Sequence, residues 1–152
     1  MSRVKQGARE RALGLLAQRE HSTGELKRKL RQRGYQDAEI GDALEGLSEA
    51  ALQSDARYVE QMLRSAESRG WGPLLIAEKL RQAGLAQSAV RAALSASGID
   101  WTQAALACLS RRFGTDPAPD HKEYARRARF LAARGYDSES IHRALKHSPE
   151  LP

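Results

Sequence analysis

The sequence predicts an all-α protein made of three tandem three-helix repeats, set in an elongated array that can curve. Three observations predict it. First, aromatic residues are only 5% of the chain, Ala, Leu, Arg and Glu predominate, and no Val/Ile/Thr-rich run occurs, so helix formers abound and strand signals are missing. Second, one pattern recurs: Leu26-Lys27-Arg28-Lys29-Leu30-Arg31-Gln32-Arg33-Gly34-Tyr35, then Ile76-Ala77-Glu78-Lys79-Leu80-Arg81-Gln82-Ala83-Gly84-Leu85, then Arg127-Ala128-Arg129-Phe130-Leu131-Ala132-Ala133-Arg134-Gly135-Tyr136, with glycines 50 and 51 positions apart. Third, four columns align in that register: Leu30, Leu80 and Leu131; Ile40, Val90 and Ile141; Ala43, Ala93 and Ala144; Leu44, Leu94 and Leu145. A period of this length marks stacked helical units.

Each element follows from local chemistry. The first helix of repeat one carries Leu13 and Leu16. The second is capped by Ser22-Thr23-Gly24-Glu25, buries Leu26 and Leu30 at i and i+4, and ends at Gly34. Asp37 starts the third, with Ile40, Ala43 and Leu44 on one face; the run to Leu52 reads as one long helix joining repeats one and two. Ser54-Asp55 caps the helix carrying Tyr58, Met62 and Leu63. Gly72-Pro73 starts the next, with proline in the first turn. That helix ends at Gly84, and Gln87 or Ser88 starts the helix with Val90. Repeat three opens on Ala105, Leu106 and Leu109. The loop Gly114-Thr115-Asp116-Pro117-Ala118-Pro119 follows, the longest irregular stretch and the expected flexible joint. Asp120-His121-Lys122-Glu123 reads as a capping box, and Asp137 or Ser138 starts the last helix. The repeats span residues 1–53, 54–98 and 99–152. Spreading the core over three small clusters accounts for a mean hydropathy of −0.61.

Net charge is +6 and the isoelectric point near 9.8, which fits an anionic partner, either nucleic acid or an acidic protein surface. Each repeat carries an excess of two cations, so the charge forms no basic tail. Cys108 is the single cysteine, so no internal disulfide is possible and a reducing compartment is expected. No apolar stretch approaches the roughly 20 residues that span a bilayer, and Met1–Arg11 has no apolar signal core. The expectation is a cytoplasmic, non-membrane monomer.

No constellation for chemistry is expected. His21, His121, His142 and His147 share no helical face at i and i+4, and the one cysteine is distant, so no metal site forms. His21 is expected to serve the helix start beside Ser22, and Cys108, among Ala105, Leu106 and Leu109, to be a buried inert thiol. Gly70-Trp71-Gly72-Pro73 lacks the Gly-Lys-Ser/Thr of a phosphate loop. Trp71 and Trp101 could stack on bases, but packing at helix junctions is the plainer reading. No catalytic residue and no cofactor is assigned.

The basic clusters are the informative feature. Lys27, Arg28, Lys29, Arg31 and Arg33 occupy five of seven consecutive positions without a carboxylate. Like charges on adjacent turns repel, so such a run calls for an anionic partner. The matching helix of repeat two keeps Lys79 and Arg81, and that of repeat three has Arg126, Arg127, Arg129 and Arg134. These eleven residues are the candidate partner-binding set. A helix-turn-helix reader would place its cations on the following helix. In repeat one that helix carries Asp37, Glu39, Asp42, Glu45 and Glu49 with no Lys or Arg, which argues against operator recognition.

Several segments resemble the RecX family, along nearly the whole chain. Ala12-Leu13-Gly14-Leu15-Leu16-Ala17-Gln18-Arg19-Glu20-His21-Ser22 is similar to the family's opening. Asp55-Ala56-Arg57-Tyr58-Val59, with Gly70-Trp71-Gly72-Pro73, Ile76, Leu80 and Gly84, resembles its central signature. Arg111-Arg112-Phe113-Gly114 and Arg129-Phe130-Leu131-Ala132-Ala133-Arg134-Gly135-Tyr136 resemble its closing unit. The resemblance implies a non-enzymatic modulator, mainly an inhibitor, of the RecA recombinase. Such a protein binds RecA and RecA–DNA filaments and impedes strand exchange, ATP turnover and repressor cleavage in the SOS response. Single- and double-stranded DNA would be weaker, electrostatic partners. Charge alone leaves open a general nucleic-acid-binding helical repeat protein without a RecA partner, or a structural adaptor.

Overall fold

The computed structural model describes residues 6–147; the outer ends of repeats one and three lie outside the described residues. Among them the chain forms nine helices and no strand: α1 (Ala8–Gln18), α2 (Thr23–Gln32), α3 (Asp37–Glu49), α4 (Asp55–Arg69), α5 (Pro73–Gln82), α6 (Gln87–Ala96), α7 (Trp101–Phe113), α8 (His121–Ala133) and α9 (Ser138–His147).

The glycine-ended helices share one terminus. After α2, Gly34 N–H donates to Arg31 and Tyr35 N–H to Leu30. After α5, Gly84 pairs with Arg81 and Leu85 with Leu80. After α8, Gly135 pairs with Ala132 and Tyr136 with Leu131. The three glycines have φ of 88°, 93° and 94°, the left-handed region where a side chain is strained. This is a Schellman cap, in which the residue after glycine folds back over the ended helix. The aligned leucines Leu30, Leu80 and Leu131 are all fully buried.

The starts are as local. Ser22 Oγ accepts from Glu25 N–H while Glu25 accepts from Ser22 N–H, closing the expected capping box. Ser54 Oγ accepts from Arg57 N–H, and Asp137 from Ser140 N–H. Two expectations are corrected. Asp120 accepts from Glu123 N–H, but Glu123 does not return the bond, because Arg126 and Arg127 hold its carboxylate. The helix from Asp37 does not run to Leu52. It stops at Glu49, and Ala51 turns the chain with φ 57°.

By its contacts the chain divides into two compact units. One holds residues up to Gln61 with Leu80–Ala86; the other holds Met62–Lys79 with Gln87 onward. The dividing line passes through α4 and α5. In the first unit α1, α2 and α3 enclose Ala12, Leu26, Leu30, Ile40, Leu44 and Leu47. In the second, α7, α8 and α9 enclose Ala105, Cys108, Leu109, Leu131, Tyr136 and Ala144. Burial of such apolar side chains contributes about 1.5–3 kcal/mol each for the large ones.

Within each unit, the start of one repeat's second helix sits on the glycine cap of the next repeat. In the first, Ser22 Oγ donates to Ala83 C=O at 2.6 Å and Gly24 lies against Gly84. In the second, Gly72 N–H donates to Arg134 C=O at 2.7 Å and Leu74 N–H to Gly135 C=O at 2.8 Å. The same local motif therefore also carries the joint between neighbouring repeats.

Candidate functional site

In the first unit, Lys27, Arg28 and Arg31 are exposed on α2 and Arg33 is exposed at its C-cap. Leu26 and Leu30 take the buried face, so the cations between them turn outward. Arg31 pairs with Asp37 at 2.9 Å, with both side chains more than half exposed, and such a pair is worth at most about 1 kcal/mol. Arg28 reaches the Gln82 carbonyl at 3.5 Å. Arg81, at the end of α5, is exposed.

Lys29 differs from its neighbours. It is half-buried, and its ammonium lies 2.9 Å from His21 Nε2. His21 is 1% exposed, with Nδ1 2.9 Å from the Arg19 carbonyl. Lys29 can only donate, so Nε2 accepts and Nδ1–H donates to Arg19. Burial lowers the His21 pKa, and the nearby Arg19 and Lys29 charges act the same way. The histidine is a buried hydrogen-bonding residue of the α1–α2 turn rather than a helix cap; Ser22 fills that role. Arg19 grips Glu25 through two hydrogen bonds, at 2.9 and 3.3 Å.

In the second unit the expectations divide. Arg126 and Arg129 are exposed on α8. Arg127 is not: it is 8% exposed, bound to Glu123 at 3.3 Å and to the Asp116 carbonyl at 2.8 Å. It ties the loop before α8 to the helix and leaves the candidate surface. That bond also anchors the loop expected to be the flexible joint. Arg134 is half-buried, donates to Arg69 C=O at 3.0 Å and lies 5.2 Å over Phe130. Lys79 is half-buried too, 4.5 Å from the Trp71 ring centroid, with Arg69 at 5.1 Å. Its charge serves a cation–π contact.

Trp71 follows the glycine cap of α4, where its N–H donates to Ala66 C=O, and Trp101 opens α7. Both are half-buried, as junction packing requires. With Leu63, Ala104, Ala107 and Tyr136 they line a cavity of about 520 Å³, which no sequence signal pointed to. Cys108 is buried, its Sγ 3.7 Å from the Gly70 carbonyl, and burial pushes its thiol up. Burial likewise pushes the Tyr136 hydroxyl up to about 12. His121 and His142 are exposed, while the side chain of His147 lies outside the described residues. Among the described residues no three His, Cys, Asp or Glu side chains gather to hold a metal, and no helix is long and apolar enough to cross a membrane. The third helix of repeat one exposes Asp37, Glu39, Asp42, Glu45 and Glu49, an acidic face unsuited to a major groove.

Among the described residues, nine helices in three repeats, with exposed cations on α2 and α8 and exposed carboxylates on α3, define a helical-repeat protein with strongly charged helix faces. Comparison with known proteins makes that class specific. The RecX first three-helix domain matches residues 8–47, the second 54–94 and the third 99–145. The chain belongs to the RecX family. A regulatory protein RecX of Chromohalobacter salexigens is 39% identical over 150 residues, covering 99% of this chain and 98% of that one. Another, from Ectopseudomonas mendocina, is 42% identical over 93% of this chain and 95% of its own. The crystal structure of RecX from Lactobacillus salivarius shares the fold at a TM-score of 0.77, with 18% identity over 93% of this chain and 94% of that one. The Chromohalobacter and Ectopseudomonas relatives are named as regulatory proteins.

Proposed function

We propose that this protein binds RecA and RecA–DNA filaments and restrains their recombinase, ATPase and coprotease activities, acting as a monomer in the cytoplasm without chemistry of its own. Membership of the RecX family supports the partner. The observation that carries the surface is the run Lys27, Arg28, Arg31 and Arg33, exposed cations on α2 and its C-cap. The same helix of repeat three contributes Arg126 and Arg129. Lys27, Arg28, Arg31 and Arg33 with Arg81 make up the candidate docking residues of the first unit, and Arg126 and Arg129 those of the second; Lys29, Lys79, Arg127 and Arg134 are engaged within the fold of their own units. Complementary charge speeds encounter and is screened over about 10 Å at 0.1 M salt.

Co-sedimentation with RecA filaments on single-stranded DNA, with bare DNA as control, tests the partner. Arg28 and Arg129 occupy matched repeat positions, so Arg28→Glu with Arg129→Glu tests the surface. The pair should weaken filament binding more at low salt than at high. If charge reversal at Glu39, Asp42 and Glu45 proves the more damaging, the basic surface is the wrong one.

A further inference from the structure

A second concentration of charge sits where α7 and α8 meet. Phe113 and Phe130 pack edge to face, centroids 5.3 Å apart and planes at 88°. Four guanidiniums surround them: Arg112 lies 5.3 Å from the Phe113 centroid and 6.0 Å from that of Phe130. Arg126 and Arg127 lie 5.4 and 5.2 Å over Phe113, and Arg134 lies 5.2 Å over Phe130. Among the described residues, Glu123 is the carboxylate within ion-pair reach of this group, shared by Arg126 and Arg127. Arg112 and Arg126 are the exposed members. A guanidinium stacked on a ring uses its face for the contact and leaves its edge donors in plane for a forked, bidentate acceptor.

Arg126 also forms one wall of a shallow depression of about 460 Å³, lined by Lys122, Arg127, Arg129, Asp120 and Glu123. Lys122, Arg126 and Arg129 stand at i, i+4 and i+7, one stripe of α8 with axial steps of about 6 and 4.5 Å. Both carboxylates are already engaged. Asp120 accepts from Glu123 N–H at 2.8 Å, and Glu123 bridges the two arginines at 3.3 Å each.

We propose that this face, Lys122, Arg126 and Arg129 with Arg112 beside them, binds the phosphodiester backbone of a nucleic acid strand. The inference rests on the reading of a filament-binding protein and deepens it: α8 meets nucleic acid and not protein. A stripe of three cations with Arg112 beside it suits the closely spaced phosphates of a strand, and the two carboxylates lining the depression are already engaged. Contacts to phosphate carry no sequence information, so binding is indifferent to sequence.

The test uses the full chain and a fluorescent oligo-dT, read by anisotropy across a salt series. Lys122→Gln/Arg126→Gln/Arg129→Gln should weaken binding about tenfold or more at low salt and flatten the log–log salt slope by about 2, three contacts at about 0.7 each. Lys27→Gln/Arg28→Gln/Arg33→Gln removes the same charge from α2 and should cost much less. Arg112→Lys keeps the charge but loses the fork, and should weaken binding several-fold with circular dichroism unchanged. Equal losses from the two triples would reduce the effect to net charge and overturn the site. So would polyglutamate competing as well as unlabelled oligo-dT. A wild-type protein that sediments with filaments yet ignores oligo-dT overturns this inference alone; one that binds oligo-dT through α8 yet ignores filaments overturns only the filament reading.

Discussion

Gly24 and Gly84 meet backbone to backbone: a Cβ on Gly24 would stand 2.9 Å from the Gly84 Cα, and nearer still to the Ala83 carbonyl oxygen. The first turn of α2 can therefore seat on the glycine cap of α5 only if residue 24 has no side chain. Beside it, Ser22 Oγ accepts from Glu25 N–H and donates to Ala83 C=O. One hydroxyl thus caps a helix and joins two repeats.

Gly24→Ala is expected to destabilise the protein by about 1–3 kcal/mol, because the added methyl meets backbone, which cannot rotate away. Gly14→Ala is the control. Gly14 lies inside α1, where a Cβ would meet nothing within 4 Å, so the same change should stabilise by about 0.5–1 kcal/mol. Urea denaturation of both variants measures the contrast, and equal effects would refute the seating.

Stability should fall in two stages on acidification. His21 sits below its ordinary 6.5, first through burial. Its contribution is therefore complete above 6.5 and declines as pH drops toward the folded value, where the unfolded chain binds the extra proton. For Glu25, burial pushes the carboxyl up, but the Arg19 fork and the Ser22 N–H outweigh it and hold it below 4.5. Its contribution is complete above 4.5 and is lost as pH falls through the lowered folded value. Urea midpoints from about pH 8 to about pH 2 should show both stages. His21→Gln should flatten the upper one and leave the lower in place.

Arg127 and Arg129 are neighbours in sequence with opposite expected behaviour. Arg127→Gln removes a buried cation bonded to Glu123 and the Asp116 carbonyl, and should cost about 1.5–3 kcal/mol. Arg129→Gln alters an exposed residue and should stay within about 0.5 kcal/mol. Chemical denaturation distinguishes them. A harmless Arg127→Gln would return Arg127 to the docking surface.

Cys108 should react slowly with a thiol reagent in the folded protein and rapidly in denaturant, since burial both shields the sulfur and pushes its thiol up. Cys108→Ala should leave filament and oligonucleotide binding within a few-fold of the parent. Fast labelling under native conditions would place the thiol at the surface.

The sequence by itself determined whatever depends on a few neighbouring residues. The α2, α5 and α8 ends follow from a glycine with an apolar residue behind it, the buried Leu30 and Leu80 from their i and i+4 pairing with Leu26 and Ile76, and the buried Leu131 from the repeat register. The Ser22–Glu25 box needs only a serine and a glutamate three apart. Tertiary structure decided where each cation ends up. Lys29 belongs to a charge run, yet it turns to His21 eight positions back; Lys79 covers Trp71, and Arg127 reaches back to Asp116. Arg112, outside the run, gains its place through Phe113 and Phe130. The Gly24–Gly84 contact spans 60 positions. Helical periodicity is one-dimensional: it tells which face is apolar, while the fate of a long, flexible cationic side chain at the boundary depends on acceptors and rings that other helices bring to it.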